Sequence, residues 1–201
     1  MAKKKGEKYR AIIEAAVRVI SANGYKNAPV NKIARAAGVA GGTVYLYFDS
    51  KEDMMVDIFK EFLGAFIEEI RLEMAEITDS AKKLQKLVEA HLAKLEENYN
   101  LAVVCLVELR QPDPMLREAT GEVLRQYFQL IEEIIEEGQA NGSFDPKLNK
   151  FLVRQMIFGT LDEIVTSWVW HRRSGLAAQA PQVYKMLLYG LTGHDKEPVI
   201  G

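Results

Sequence analysis

The chain has almost no cysteine. Cys105 is the only one in 201 residues, so a disulfide framework is impossible. It sits in LAVVCLVEL, where it reads as a small buried apolar residue, with a redox role as the lesser alternative. Long apolar runs are missing too: none approaches the roughly 18 residues that suggest a membrane span. The start, MAKKKGEKYR, is basic but has no apolar stretch behind it, so it is not a signal peptide. These absences make the cytoplasm the expected location and leave no membrane partner. Histidine is scarce: His91, His171 and His194 are scattered without ligand spacing, which speaks against a metal site. No nucleophile–base pair, phosphate loop or paired-carboxylate signature occurs, so no enzyme and no cofactor is expected. There is no internal repeat.

What remains is an ordinary globular composition, 48% apolar and 27% charged, able to bury a real core. The length allows one large domain or two small ones. The net charge of −2 conceals a division. Residues 1–52 hold ten Lys/Arg against four Asp/Glu, a surplus of six positive charges, and the remainder carries a surplus of eight negative ones. A basic quarter joined to an acidic remainder suggests that one end meets a polyanion. The plainer alternative is a charged, solvated tail.

Apolar periodicity is helical throughout. Ile12, Ile13, Ala16, Val19 and Ile20 share one face of a helix over 8–23, which Asn23-Gly24 stops. A short second helix covers 29–37, with Val30, Ile33, Ala34 and Ala37 inward. Ser50 and Asp53 form a capping box that opens a helix carrying Met54, Ile58, Phe62, Phe66 and Ile70. Further helices are expected over 80–98, 101–110, 113–140, 146–172 and 177–192, punctuated by Asn, Gly and Pro. The fold class is all-α, about nine helices: three short ones in residues 1–52, then longer ones in residues 53–201.

One stretch resists this pattern. TVYLYF, residues 43–48, combines β-branched and aromatic residues that favour strands. Ala34, Gly38 and Val44 explain it. A small residue lets two helices touch, a glycine four residues on can take the left-handed conformation of a tight turn, and an apolar residue six further on packs the next helix. That is helix-turn-helix spacing, so TVYLYF is expected to be helical, tertiary context overriding propensity. Val44 and Phe48 then face a small core. Thr43, Tyr45 and Tyr47 face outward, where they can meet a phosphate, a sugar or a thymine methyl. The alternative is that one or two of these tyrosines pack against the first helix.

Residues 8–54 resemble the DNA-binding domain of the TetR family of repressors. The matching text runs from Val30-Asn-Lys-Ile-Ala-Arg-Ala-Ala-Gly38 through Gly42-Thr-Val-Tyr-Leu-Tyr-Phe48 to Lys51-Glu52. The resemblance implies a homodimer on a palindromic double-stranded operator. Its recognition helices, residues 42–48, would enter major grooves roughly 34–36 Å apart. It also implies DNA contacts from Asn31, Lys32, Gly42, Thr43, Tyr45, Tyr47 and Lys51. Thr43 and Tyr45 would meet bases or sugars, and Asn31, Lys32, Tyr47 and Lys51 would meet phosphates. Lys51 opens a helix whose N-terminus favours anions. Gly41 departs from the pattern, because relatives often carry a polar, base-reaching residue there; readout is then expected to lean on Thr43, Tyr45 and DNA shape.

Over almost its whole length the chain is also similar to a TetR subgroup, the fatty-acid-degradation repressors that sense long-chain acyl-CoA. The passages that carry this are Gly42-Thr-Val-Tyr-Leu-Tyr-Phe, Asn100-Leu-Ala-Val-Val, Glu108-Leu-Arg-Gln111 and Arg154-Gln-Met-Ile-Phe-Gly-Thr-Leu-Asp-Glu163. The implication is a repressor of fatty-acid metabolism genes, released from its operator by long-chain acyl-CoA. Another hydrophobic inducer, a drug or a free fatty acid, is the alternative. The C-terminal helices would then dimerise through 146–172 and 177–192 as a four-helix bundle and enclose the effector. The expected lining is Phe62, Phe66, Leu92, Ala102, Cys105, Leu109, Arg110, Gln111, Tyr127, Phe128, Arg154, Met156, Phe158, Gly159 and Trp168. The alternative for the apolar ones is plain core, and for the arginines a salt bridge to one of the many Glu residues. An acyl chain needs a dry tunnel, and its CoA end needs cations, for which Arg117, Arg172 and Arg173 are further candidates. Asp162 and Glu163 interrupt an apolar run and cost free energy unless paired or wet.

Overall fold

The computed structural model describes residues 6–108, 114–171 and 175–192. Every regular element among them is a helix: α1 (Glu7–Asn23), α2 (Val30–Ala36), α3 (Gly41–Val44), α4 (Lys51–Phe59), α5 (Ala65–Met74), α6 (Ser80–Glu97), α7 (Tyr99–Glu108), α8 (Pro114–Ala140), α9 (Lys150–His171) and α10 (Ala180–Leu191). A π segment, Lys60–Gly64, joins α4 to α5, so the chain is helical from Lys51 to Met74 without a break. A 3₁₀ turn, Ala177–Gln179, leads into α10. None of the helices among the described residues is long and apolar enough to cross a membrane.

Local chemistry sets the helix ends. The Asn23-Gly24 stop is real: Gly24 has φ +74° and its N–H donates to Ile20 O at 2.8 Å. α2 closes in a Schellman motif, with Gly38 N–H on Arg35 O (3.1 Å) and Val39 N–H on Ala34 O (3.0 Å). That motif needs a left-handed residue, and Gly38 supplies it at φ +68°. Ser50 caps α4 by accepting from Asp53 N–H at 3.1 Å. The return bond of this capping box goes one residue further out than the standard pattern, from Asp49 N–H to Asp53 Oδ2 at 3.0 Å. Asn98 accepts from Leu101 N–H at 3.0 Å, which starts α7 at Tyr99 and not at residue 101. Asn149 accepts from Phe151 N–H at 2.9 Å, which starts α9 at Lys150; residues 146–149 form a turn.

Contacts divide the chain into two compact units. One holds the chain up to Phe66 together with Glu97–Arg125, and the other holds Ile67–Glu96 together with the chain from Gln126 on. The first unit therefore extends beyond residue 52. Its core gathers Ile12, Ala16, Ile20, Ile33, Ala34, Val44, Phe48, Met54 and Ile58, and it includes Leu101 and Val104 of α7. Ser21 Oγ also donates to Asn100 Oδ1 at 2.9 Å, tying α7 to α1.

TVYLYF is helical at its start and continues as hydrogen-bonded turns. α3 ends at Val44, after which Leu46 N–H reaches Thr43 O (3.2 Å) and Tyr47 and Phe48 N–H both reach Val44 O (3.0 Å). Phe48 is 1% exposed and Leu46, two residues away, is 73% exposed. Their truncations should therefore diverge in urea denaturation. Phe48→Ala is expected to cost about 3–5 kcal/mol, and Leu46→Ala should stay within about 0.5 kcal/mol of the parent.

Candidate functional site

In the first unit the buried Val44 and Phe48 leave Gly42, Tyr45 and Leu46 exposed and Thr43 half-buried. Tyr45 is 56% exposed. Tyr47 is different. Its ring is half-buried against the core, with its centroid 6.2 Å from that of Tyr9 and 6.4 Å from that of Phe48. Of the two uses open to these tyrosines, exposure goes to Tyr45 and packing to Tyr47. Phe48 stacks on Tyr9 at 5.4 Å. The Tyr9 hydroxyl donates to Asp57 Oδ2 at 3.0 Å, and burial together with Asp57 pushes its phenol well up, so it stays protonated.

The polar residues around this turn are partly engaged. Asn31 and Lys32 are exposed on α2, and Lys32 Nζ donates to Asn23 Oδ1 at 2.6 Å. Asn31 Oδ1 lies 2.7 Å from where a Gly41 Cβ would stand, so glycine at 41 is what lets Asn31 approach α3. Lys51 Nζ donates to Tyr25 O at 2.6 Å and sits 4.1 Å over the Tyr25 ring. An ammonium has three donors, so this anchoring is compatible with a further anion contact. The Tyr25 hydroxyl donates to Glu52 Oε1 at 2.8 Å, and that bond holds the Glu52 carboxyl below the usual range. Leu46 is not among the contacts expected from the sequence. The available signal was its place two residues from both Val44 and Phe48, on the opposite side of the turn.

In the second unit four of the expected effector residues come together. Phe158 of α9 meets Tyr127 and Phe128 of α8 edge-on, at 6.3 and 4.9 Å between centroids. The Arg154 guanidinium lies 4.8 Å over Phe128 and 5.6 Å over Phe151, and its Nη1 donates to Glu132 Oε1 at 2.6 Å. Its Nε is buried without a hydrogen-bond partner. An arginine stacked and paired in this way is held within the protein, which weakens its candidacy as a phosphate ligand. Tyr127 also faces a residue with no expected effector role: His91 Nδ1 is 2.7 Å from its Oη. Burial lowers the His91 pKa to about 4 and raises the Tyr127 phenol. The signal for His91 was its spacing from the buried Leu87 and Val88 on α6.

Other expected residues lie elsewhere. Leu92 is fully buried on α6. Phe62, Phe66, Ala102 and Cys105 belong to the first unit; Phe62 and Cys105 pack against the helix-turn-helix core, and Phe66 and Ala102 are buried. Leu109, Arg110, Gln111, Arg172 and Arg173 lie outside the described residues, as does the side chain of Arg117. Met156 and Gly159 do not join the Phe158 cluster. α9 buries Val153, Ile157, Leu161, Val165 and Val169 on one face and exposes Leu152, Met156, Gly159, Glu163 and Trp170 on the other. Met156 and Gly159 line an open groove with Thr160, Ile164 and Met186 of α10. Trp168 lines a neighbouring one with Glu163, Ile164, Ser167 and Gln179. Glu163 is exposed, which removes the desolvation cost expected of it. Arg154 of the same helix is paired with Glu132.

His91 makes a pH prediction. Its folded pKa lies below the ordinary value of about 6.5, so the unfolded chain binds the proton more tightly. Stability should be unaffected by this group above pH 6.5 and should fall as pH drops from there toward about 4. Urea midpoints of parent and His91→Gln between pH 7.5 and 5 should show a steeper decline in the parent.

With this geometry in place, comparisons with known proteins are informative. Residues 12–58 match the family model for bacterial regulatory proteins of the tetR family, and residues 59–190 match the model for the C-terminal region of YsiA-like proteins. The chain is 42% identical over 195 residues to the fatty acid metabolism regulator protein of Bacillus subtilis, covering 96% of this chain and all of that one. The structure of the fatty acid degradation regulator FadR from Bacillus halodurans superposes with a TM-score of 0.87 at 47% identity, covering 91% of this chain and 99% of that one. The transcriptional regulator FadR from Bacillus subtilis, crystallised in complex with stearoyl-CoA, superposes with the same TM-score at 42% identity and the same coverage.

Proposed function

Because this chain belongs to the TetR family of bacterial regulatory proteins, we propose that it represses fatty-acid metabolism genes as a homodimer on a palindromic operator, and that long-chain acyl-CoA releases it. Family membership makes it a transcriptional regulator and not an enzyme. The observation that carries the effector is the stearoyl-CoA complex of a regulator 42% identical to this chain. The second unit supports it. His91 is half-buried on α6, with its Nδ1 2.7 Å from the Tyr127 hydroxyl. The Tyr127 ring lies beside it, and Phe158 joins Tyr127 and Phe128 in an aromatic cluster suited to an acyl chain.

The homodimer would form through α9 and α10. The outer face of α9 exposes Leu152, Met156 and Trp170 among Gln155 and Glu163, and with the exposed Met186 and Tyr189 of α10 it offers apolar area of the kind two copies cover in a four-helix bundle. The amino-terminal unit would meet DNA through Thr43 and Tyr45 at bases or sugars, with Gly42 allowing close approach. Asn31, Lys32 and Lys51 would meet phosphates, and Tyr47 would contribute through its hydroxyl edge. The protein would work in the cytoplasm, where its operator is.

Release would be a population shift. Acyl-CoA would prefer a form of the dimer whose two recognition helices are misplaced for successive grooves, weakening DNA binding by that differential affinity. A second reading, a hydrophobic inducer without phosphates, draws on the pairing of Arg154 with Glu132, which leaves the phosphates to other cations.

A thermal-shift series separates the two. At about 100 times its dissociation constant a ligand adds about 2.7 kcal/mol, which for this chain length corresponds to about 5–10 °C. Palmitoyl-, stearoyl- and oleoyl-CoA should each raise Tm by that much, and CoA or the free acids alone should not. A shift with free acid equal to that with acyl-CoA would favour the second reading.

A further inference from the structure

We propose that Leu46 reads thymine methyl groups in the major groove, and that this chain recognises its operator by apolar contact more than by hydrogen bonds to bases. The inference rests on the DNA-binding reading above and names the residue and the base feature that would carry its specificity.

Leu46 stands 73% exposed beside Tyr45 on a turn fixed by backbone hydrogen bonds to Thr43 and Val44. A single exposed leucine ordinarily requires no explanation. Its neighbours make this one informative. The side chains offered outward from Gly41 to Leu46 are those of Thr43, Tyr45 and Leu46 alone, since Gly41 and Gly42 have none and Val44 is buried. None carries a guanidinium, amide or carboxylate, the groups that pair bidentately with guanine, adenine or cytosine edges. The nearest amide, that of Asn31, is turned against Gly41, with its oxygen 2.7 Å from the Cβ position. The positive surplus of residues 1–52 attracts phosphates, which hold register but carry no base information.

What an apolar side chain can distinguish in the major groove is the C5 methyl of thymine. Two glycines at the start of α3 strip bulk from the turn that leads into Leu46, so the backbone can come close to the bases. Leu46 then gains burial only when a methyl group faces it. Sequence-dependent DNA shape supplies the rest of the discrimination.

The test starts with the full-length protein and a random-sequence duplex library. The selected duplex is resynthesised with deoxyuridine replacing thymidine one position at a time, which removes the methyl and keeps the pairing. For the parent, one or two thymines in each half-site should lose about fourfold in affinity, the value of one methyl-sized apolar group. Leu46→Ala should bind the thymine duplex more weakly and lose nothing further at those positions. Its salt dependence should match the parent's, because its phosphate contacts are untouched. Equal methyl dependence in parent and Leu46→Ala, or none in the parent, would overturn the proposal. Failure to enrich any sequence would instead remove the DNA-binding reading beneath it.

Discussion

Phe48 stacked on Tyr9 is the contact on which the helix-turn-helix end depends. A strand-prone hexapeptide follows a helical turn here because burying Val44 and Phe48 against α1 and α4 outweighs a propensity worth a fraction of a kcal/mol per residue. Once those two side chains are inside, the turn has no freedom left in what it presents. Thr43, Tyr45 and Leu46 must face away from the core, and Tyr47 must lie along its edge. Two further ties brace the same corner. The Tyr9 hydroxyl reaches Asp57 on α4, and Tyr25 joins Lys51 and Glu52 at the start of that helix. The first unit is therefore a rigid presenter of a few side chains, which is what a groove-reading device requires.

The second unit solves a different problem. An amphipathic helix has one face to bury, but α9 also exposes Phe151, Leu152, Met156 and Trp170, and Val153, Ile157, Leu161, Val165 and Val169 use only one side. The side with Met156, Gly159 and Glu163 is exposed. Phe158 sits with Tyr127 and Phe128, where polar groups are also enclosed. Enclosed polar groups need partners, and here His91 has Tyr127 while Arg154 has Glu132 and two rings. These directional contacts fix the orientation of the side chains they join.

The helices, their order and the helix-turn-helix were legible in the sequence because each follows from local rules: periodicity, a left-handed glycine at 38, a cap at Ser50. Helix starts were missed by a few residues at 99 and 150: Asn98 acts as a cap and not only as a break, and Asn149 caps a helix expected to begin before it. The division of α9 was not legible. Met156, Phe158 and Gly159 lie within four residues of each other, all apolar or small, and periodicity alone cannot say which of two apolar faces is the inner one.

The sequence by itself determined the fold class, the basic end and the helix-turn-helix, since these depend on residues close together in the chain. Tertiary structure alone decided that Tyr47 packs while Tyr45 is exposed, that Arg154 belongs to Glu132 and that His91 meets Tyr127. Those pairings join residues up to 38 positions apart, counting from Tyr9 to Tyr47. Their partners are chosen by how helices pack, and nothing in local propensity records that choice.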